Sequence, residues 1–215
     1  LTTIDEAVGL EHVLVVLSAD HGGPEAPEYM ASKGLETGRY PLDWIREQNP
    51  IREPLLARYG RGDLIAGHSH PYIYLNRDAI AEDELDAAEV QRFVADELLK
   101  FPGFTFALTR SEIMTGNAPD SLLTDKIRHS FNPARAGDIY LVQQQFWLFH
   151  STKEAEQLGI ESMAAIHGSP WRYDSYVPVL FAGPGIPHRT VSRHVTPYDI
   201  AVTLANAMGT KIPSG

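Results

Sequence analysis

One short apolar run constrains this chain more than any other feature: Val13 to Leu17 is unbroken and leads straight into Ser-Ala-Asp-His-Gly-Gly. Such a run is too short for a buried helix and lacks the alternation of a half-exposed strand, so it predicts a strand covered on both faces. A second segment of this kind, Val177 to Ala182, ends in Gly-Pro-Gly. Covered parallel strands need helices on both faces, which predicts an α/β fold. A helix after the second strand is well marked. Thr196 can cap it, Pro197 suits its first turn and Asp199 can return a bond to the cap. Ile200, Ala201, Leu204, Ala205 and Met208 then form an apolar face before Gly209.

Between these ends the rhythm changes. The Pro- and Gly-punctuated stretch from Pro24 to Gly62 carries no clear element, and DLIAGHSHPYIYLN offers two short strands around Pro71. Glu84 to Lys100 predicts a helix, with Val90, Phe93, Val94 and Leu98 on one face. FTFALTR reads as a strand, Asp120 to His129 as a helix and GDIYLVQQ as a strand. The alternation predicts an α+β subdomain over residues 29–160, inserted between two parts of the main sheet, 1–28 and 161–215.

The net charge of −10, with no cluster of Lys or Arg, gives a nucleic-acid polymer nothing to bind. No Cys is present, which removes thiolate zinc sites and a thiol nucleophile and leaves His and carboxylates as the strong metal ligands. No apolar run is long enough to cross a bilayer, and the first residues lack a signal-peptide pattern, so no membrane partner is expected.

Asp20-His21-Gly22 stands where the first strand ends, and open α/β sheets bind ligands at the carboxyl ends of their strands. An adjacent carboxylate and imidazole can share one cation there, although a capping Asp beside a solvated His is the commoner meaning of three such residues. His167, ahead of a Gly-Ser-Pro turn, is a candidate for a second ion, with Asp174 able to orient an imidazole from behind. His68 and His70 share a face of a strand and read as solvated, as do His188 and His194. Arg135 and Asp138 read as a local ion pair fixing a turn.

SADHGG, FNPARAGDIYLV, HGSPWRYDSYVPVLFAGPGI and TPYDIAVTLANAMG follow one another over nearly the whole chain. This series resembles the alkaline phosphatase superfamily, in particular the bacterial enzymes with a single Thr or Ser nucleophile, close to the type I phosphodiesterases and nucleotide pyrophosphatases. The stretch after His167 fits sulfatases and phosphoglycerate mutases less well. Ala136 stands where the family commonly has Ser.

The resemblance implies part of an alkaline phosphatase-like sheet flanked by helices, and two zinc ions. Asp20 and His21 would bind the zinc that also holds the nucleophile, and His167 would bind the other. It also implies hydrolysis of small phosphate monoesters through a covalent phospho-enzyme, with phosphodiesters or nucleotide pyrophosphates as the alternative and a non-catalytic binding module as the second. The family's nucleophile and remaining ligands match nothing here and are expected upstream. The chain therefore reads as an inactive carboxy-terminal fragment that pairs with another copy or with an amino-terminal piece. Only if the fragment proved active would Ser18, Ser169 or Thr196 become nucleophile candidates. A periplasmic or secreted location is implied by the family alone.

Overall fold

A computed structural model describes residues 1–41, 44–150 and 163–213. The chain divides into two compact units, Leu1–Gly22 with Tyr176–Gly215, and Gly23–Ser175. The smaller unit holds α1 (Thr2–Val8), β1 (Val15–Leu17), and the late elements β8 (Leu180–Ala182) and α9 (Tyr198–Ala207). The larger holds α2 (Pro27–Ser32), β2 (Arg39–Pro41), α3 (Arg52–Tyr59), β3 (Ile65–Ser69), β4 (Tyr72–Leu75), α4 (Arg77–Glu82) and α5 (Ala87–Leu98). It continues with β5 (Phe104–Thr109), α6 (Arg110–Thr115), α7 (Leu122–Ser130), β6 (Ile139–Gln143), β7 (Leu148–His150) and α8 (Arg172–Ser175). The architecture is mixed α/β, as expected.

The larger unit is built on an antiparallel sheet of order β3-β4-β6-β5. Its central strand β6 is buried along its whole length. Period-2 alternation divides its side chains. Ile139 and Leu141 join Val90, Val94 and Leu98 of α5 on one face, while Tyr140 and Val142 join Ile127 of α7 and Trp171 on the other. Helix α5 begins later than the sequence predicts because Asp86 caps it, accepting from the Ala88 and Glu89 amides at 2.8 and 2.9 Å. The predicted strand FTFALTR loses its last residue to α6. Thr109 and Glu112 form a capping box that starts a helix at Arg110. A separate parallel ribbon pairs β2 with β7, where Tyr40 lies opposite Phe149.

Three expectations fail in physical detail. The first strand is neither parallel nor covered. β1 pairs antiparallel with β8, and Leu17 and Leu180 stay 58% and 55% exposed, since no other strand among the described residues joins either one. Thr196 does not cap α9; Pro197 holds that position, and only the return half of the box is made, Asp199 accepting from the Thr196 amide at 2.7 Å. Asp138 is not paired with Arg135. Buried, it takes Arg77 at 2.7 Å and the Leu75 amide at 2.9 Å, because the β4–β6 pairing brings those partners to it from 61 and 63 residues away.

Candidate functional site

Asp20 and His21 follow β1 in the smaller unit. The His21 Nδ1 lies 2.6 Å from the Gly22 carbonyl, and a carbonyl can only accept, so that nitrogen carries the proton. The ring is thereby fixed with Nε2 turned toward Asp20 Oδ2, 3.6 Å away. The Asp20 Oδ1 accepts from the His21 amide at 3.1 Å, which ties the carboxylate to the same turn. Two ligands of one tetrahedral ion with bonds of about 2.0–2.1 Å stand roughly 3.3 Å apart. A carboxylate oxygen and an imidazole nitrogen at 3.6 Å therefore fit a shared cation, with the Nδ1–H on a backbone carbonyl as the usual support behind such a ligand. His188 and His194 are exposed in the same unit, as expected.

His167 belongs to the larger unit, in a segment held on both sides. Upstream, Arg39 donates to the Met163 and Ala164 carbonyls at 2.6 and 3.4 Å, and Ile166 packs on the core. Arg39 is itself paired with Glu28, whose carboxyl it holds at about 2, far below the ordinary range. Downstream, Asp174 Oδ2 accepts both the amide and the hydroxyl of Ser169, at 2.8 and 2.5 Å. Lys126 donates to the Pro170 carbonyl at 2.9 Å and the Trp171 indole to the Gln143 carbonyl at 2.8 Å. Gly168 sits between at φ +110°, a conformation side chains rarely adopt.

His68 and His70 are not the solvated pair their spacing suggests. His70 lies beyond the end of β3, and its ring stacks on Phe149 at 6.2 Å, with His68 also against Phe149 at 6.5 Å. Burial holds both imidazoles at about 4 and so uncharged at neutral pH. His68 Nδ1 and His70 Nε2 are buried without a hydrogen-bond partner. The sequence carries a weak sign of this burial, two histidines flanked by strand residues. The partner that covers them arrives 79 residues after His70, at Phe149.

Among the described residues, no group of three or more His, Asp or Glu side chains gathers as a metal site. Asp20 and His21 stand together in one unit and His167 stands in the other. Ser169 and Thr196 have hydroxyls committed to carboxylates, Asp174 and Asp199 respectively. Arg39 and Lys126, the long-range anchors of the His167 segment, left no local mark in the sequence.

No family model matches the chain. It is 28% identical over 213 residues to the alkaline phosphatase PafA of Elizabethkingia meningoseptica, covering 99% of this chain and 36% of that protein. It is 26% identical over 215 residues to a protein of Myroides odoratus named a calcium-transporting ATPase, covering 100% of this chain and 37% of that one. The crystal structure of wild-type PafA superposes with a TM-score of 0.77 at 26% identity, over 100% of this chain and 38% of the other. The chain spans little more than a third of the length of these relatives. No helix among the described residues is long and apolar enough to cross a membrane. Over its whole length, in sequence and in fold, the chain is a homologue of the alkaline phosphatases.

Proposed function

We propose that the protein carrying this chain is a metal-dependent phosphoric ester hydrolase, most readily of small phosphate monoesters, and that Asp20, His21 and His167 are its metal ligands within these residues. The observation that supports it most is the Asp20–His21 pair, with one ring nitrogen spent on Gly22 and the other 3.6 Å from a carboxylate oxygen. Two zinc ions are the proposed cofactors, Asp20 and His21 serving one and His167 the other. Bound there, such ions supply charge neutralisation for attacking and leaving phosphoryl oxygens. The chain's own work is to present the ligands: Gly22 fixes the His21 tautomer, and the braced segment carries His167.

The nucleophile and covalent phospho-enzyme are assigned to residues outside these 215, because the relatives are nearly three times as long. The natural setting would be periplasmic or extracellular. A second reading, hydrolysis of phosphodiesters or anhydrides, draws on the ATPase name of the Myroides relative. A non-catalytic module is the remaining alternative.

The test is turnover by the full-length protein on p-nitrophenyl phosphate, bis-p-nitrophenyl phosphate and ATP, with and without zinc. Asp20→Asn, His21→Ala and His167→Ala are each expected to lower kcat/KM by about a hundredfold or more. Metal-independent turnover, or wild-type rates in all three variants, would sink the assignment. The 215-residue chain assayed alone is expected to be inactive.

A further inference from the structure

We propose that Asp174 is a positioning residue for His167, acting through Ser169, an inference that rests on His167 being a metal ligand. Three observations carry it. Asp174 is buried, 5% exposed, together with Ser169, and a buried carboxylate needs polar partners to offset its lost hydration. Its Oδ2 takes both the amide and the hydroxyl of Ser169, two residues after His167, which freezes the exit from the Gly168 turn. Its Oδ1 is buried with no hydrogen-bond partner among the described residues, so both of the carboxylate's hydrogen bonds run through Oδ2 to Ser169.

The neighbourhood explains why the turn needs fixing. Gly168, left-handed at φ +110°, presents its bare face to His70, where an added Cβ would stand 3.5 Å from the ring. The His70 Nε2 is likewise buried and unpartnered among the described residues. His70 Nε2 makes no hydrogen bond among the described residues and so does not tie down the glycine turn that faces it. Contacts that hold the segment include Arg39 on Met163 and Ala164, Ile166 on the core and Asp174 on Ser169. Of the hydrogen bonds among these, the ones to Ser169 lie the fewest residues from His167. A ligand imidazole left free to shift holds its ion less well, and removing a group behind a metal ligand weakens binding by about 10–100-fold.

The experiment measures metal dissociation constants of the full-length protein by competition with a chromophoric chelator, alongside thermal midpoints and the split of kcat from KM. Asp174→Asn is expected to weaken one of two bound zinc ions by about tenfold or more and leave the other unchanged. Ser169→Ala, which keeps the amide bond, should weaken the same ion several-fold. In a His167→Ala background, Asp174→Asn should have no further effect on affinity, because a residue acting through His167 has nothing left to position.

Wild-type affinity in both Asp174→Asn and Ser169→Ala, with one ion lost in His167→Ala, overturns the inference while sparing the metal reading. Additive losses in the double variant overturn it too, by marking Asp174 as merely structural. If His167→Ala keeps both ions, the metal reading of His167 falls and the inference with it. Should Asp174→Asn melt below the assay temperature, Ser169→Ala and its own cycle with His167→Ala decide the matter.

Discussion

Strands β1 and β6 present almost the same sequence pattern and meet opposite fates. Val13 to Leu17 and Ile139 to Val142 are both continuous apolar runs, the kind that predicts cover on two faces. β6 receives it, with strands on both edges, α5 over one face and α7 with Trp171 over the other, so that Ile139 and Val142 are wholly buried. Among the described residues β1 has β8 alone beside it, and Leu17 remains 58% exposed. An apolar run therefore states how much cover a strand requires, not how its neighbours run or whether they lie in the same stretch of chain. β6 is antiparallel to both its partners and still buried on both sides.

The same contrast extends to helices. The apolar face of α5 is buried at Val90, Val94, Ala95 and Leu98, whereas α9 buries Ala205 alone and leaves Met208 64% exposed. Unfilled demand is thus concentrated in the smaller unit, which also carries Asp20 and His21. The relatives being nearly three times longer, we expect the cover for β1 and α9 to come from residues beyond these 215.

The largest effect that separates the two regions is expected at β6. Ile139→Ala should cost the larger unit about 3–4 kcal/mol, the loss of a fully buried branched side chain plus its cavity, read as a shift in denaturant midpoint at constant slope. A loss under about 1 kcal/mol would mean that the β6 core is loosely packed and the contrast with β1 false. Next comes Asp138→Ala, which strips the Leu75 amide and Arg77 of a buried acceptor. About 3 kcal/mol is expected, and Asp138→Asn should recover part of it by keeping the Leu75 bond.

Asp138 also shows what the sequence could and could not reveal. Elements fixed by local pattern were legible: the hairpin around Pro71, α5, β5, α7 and β6 all stand where periodicity and turn residues put them. The short helices α2, α3 and α4, of six, eight and six residues, were hidden because each is too short to show a helical period, with Pro in the first turn of α2 and of α3. The start of α6 was overrun, although Thr109 and Glu112 spelled out its capping box. Long-range partners were invisible. Arg135 is nearer to Asp138 in sequence, but strand pairing delivers Arg77. Asp20, His21 and His167 were singled out by motif as candidates, whereas the anchors Arg39 and Lys126 and the covering of His68 and His70 depend on contacts no local window contains.

A smaller effect follows from that burial. The His68 imidazole, pushed down to about 4 from 6.5, is uncharged in the folded chain. Above pH 6.5 both folded and unfolded states hold it neutral. As pH falls from there toward 4 the unfolded state takes up a proton that the folded state refuses, so stability is lost through that window. Roughly 2 kcal/mol is expected, after allowing for partial solvent contact. Denaturant midpoints measured across the window should vary less steeply in His68→Gln, which takes no proton, the remainder including the contribution of His70. An unchanged slope would show that His68 is not desolvated.

The smallest effect should fall on β1 itself. In the 215-residue chain Leu17→Ala removes a side chain that is 58% exposed and opposite an equally exposed Leu180, so it should change stability by no more than about 0.5 kcal/mol. In the full-length protein the same substitution should cost about 2 kcal/mol or more, because a covered leucine loses both transfer energy and packing. The difference between the two measurements, rather than either alone, tests whether β1 is a strand awaiting cover. Equal and small values in both proteins would show that the Val13 to Leu17 run never acquires a second face. Asp20 and His21 would then stand at the edge of a two-stranded ribbon, and a metal site built on their strand would lose its structural support.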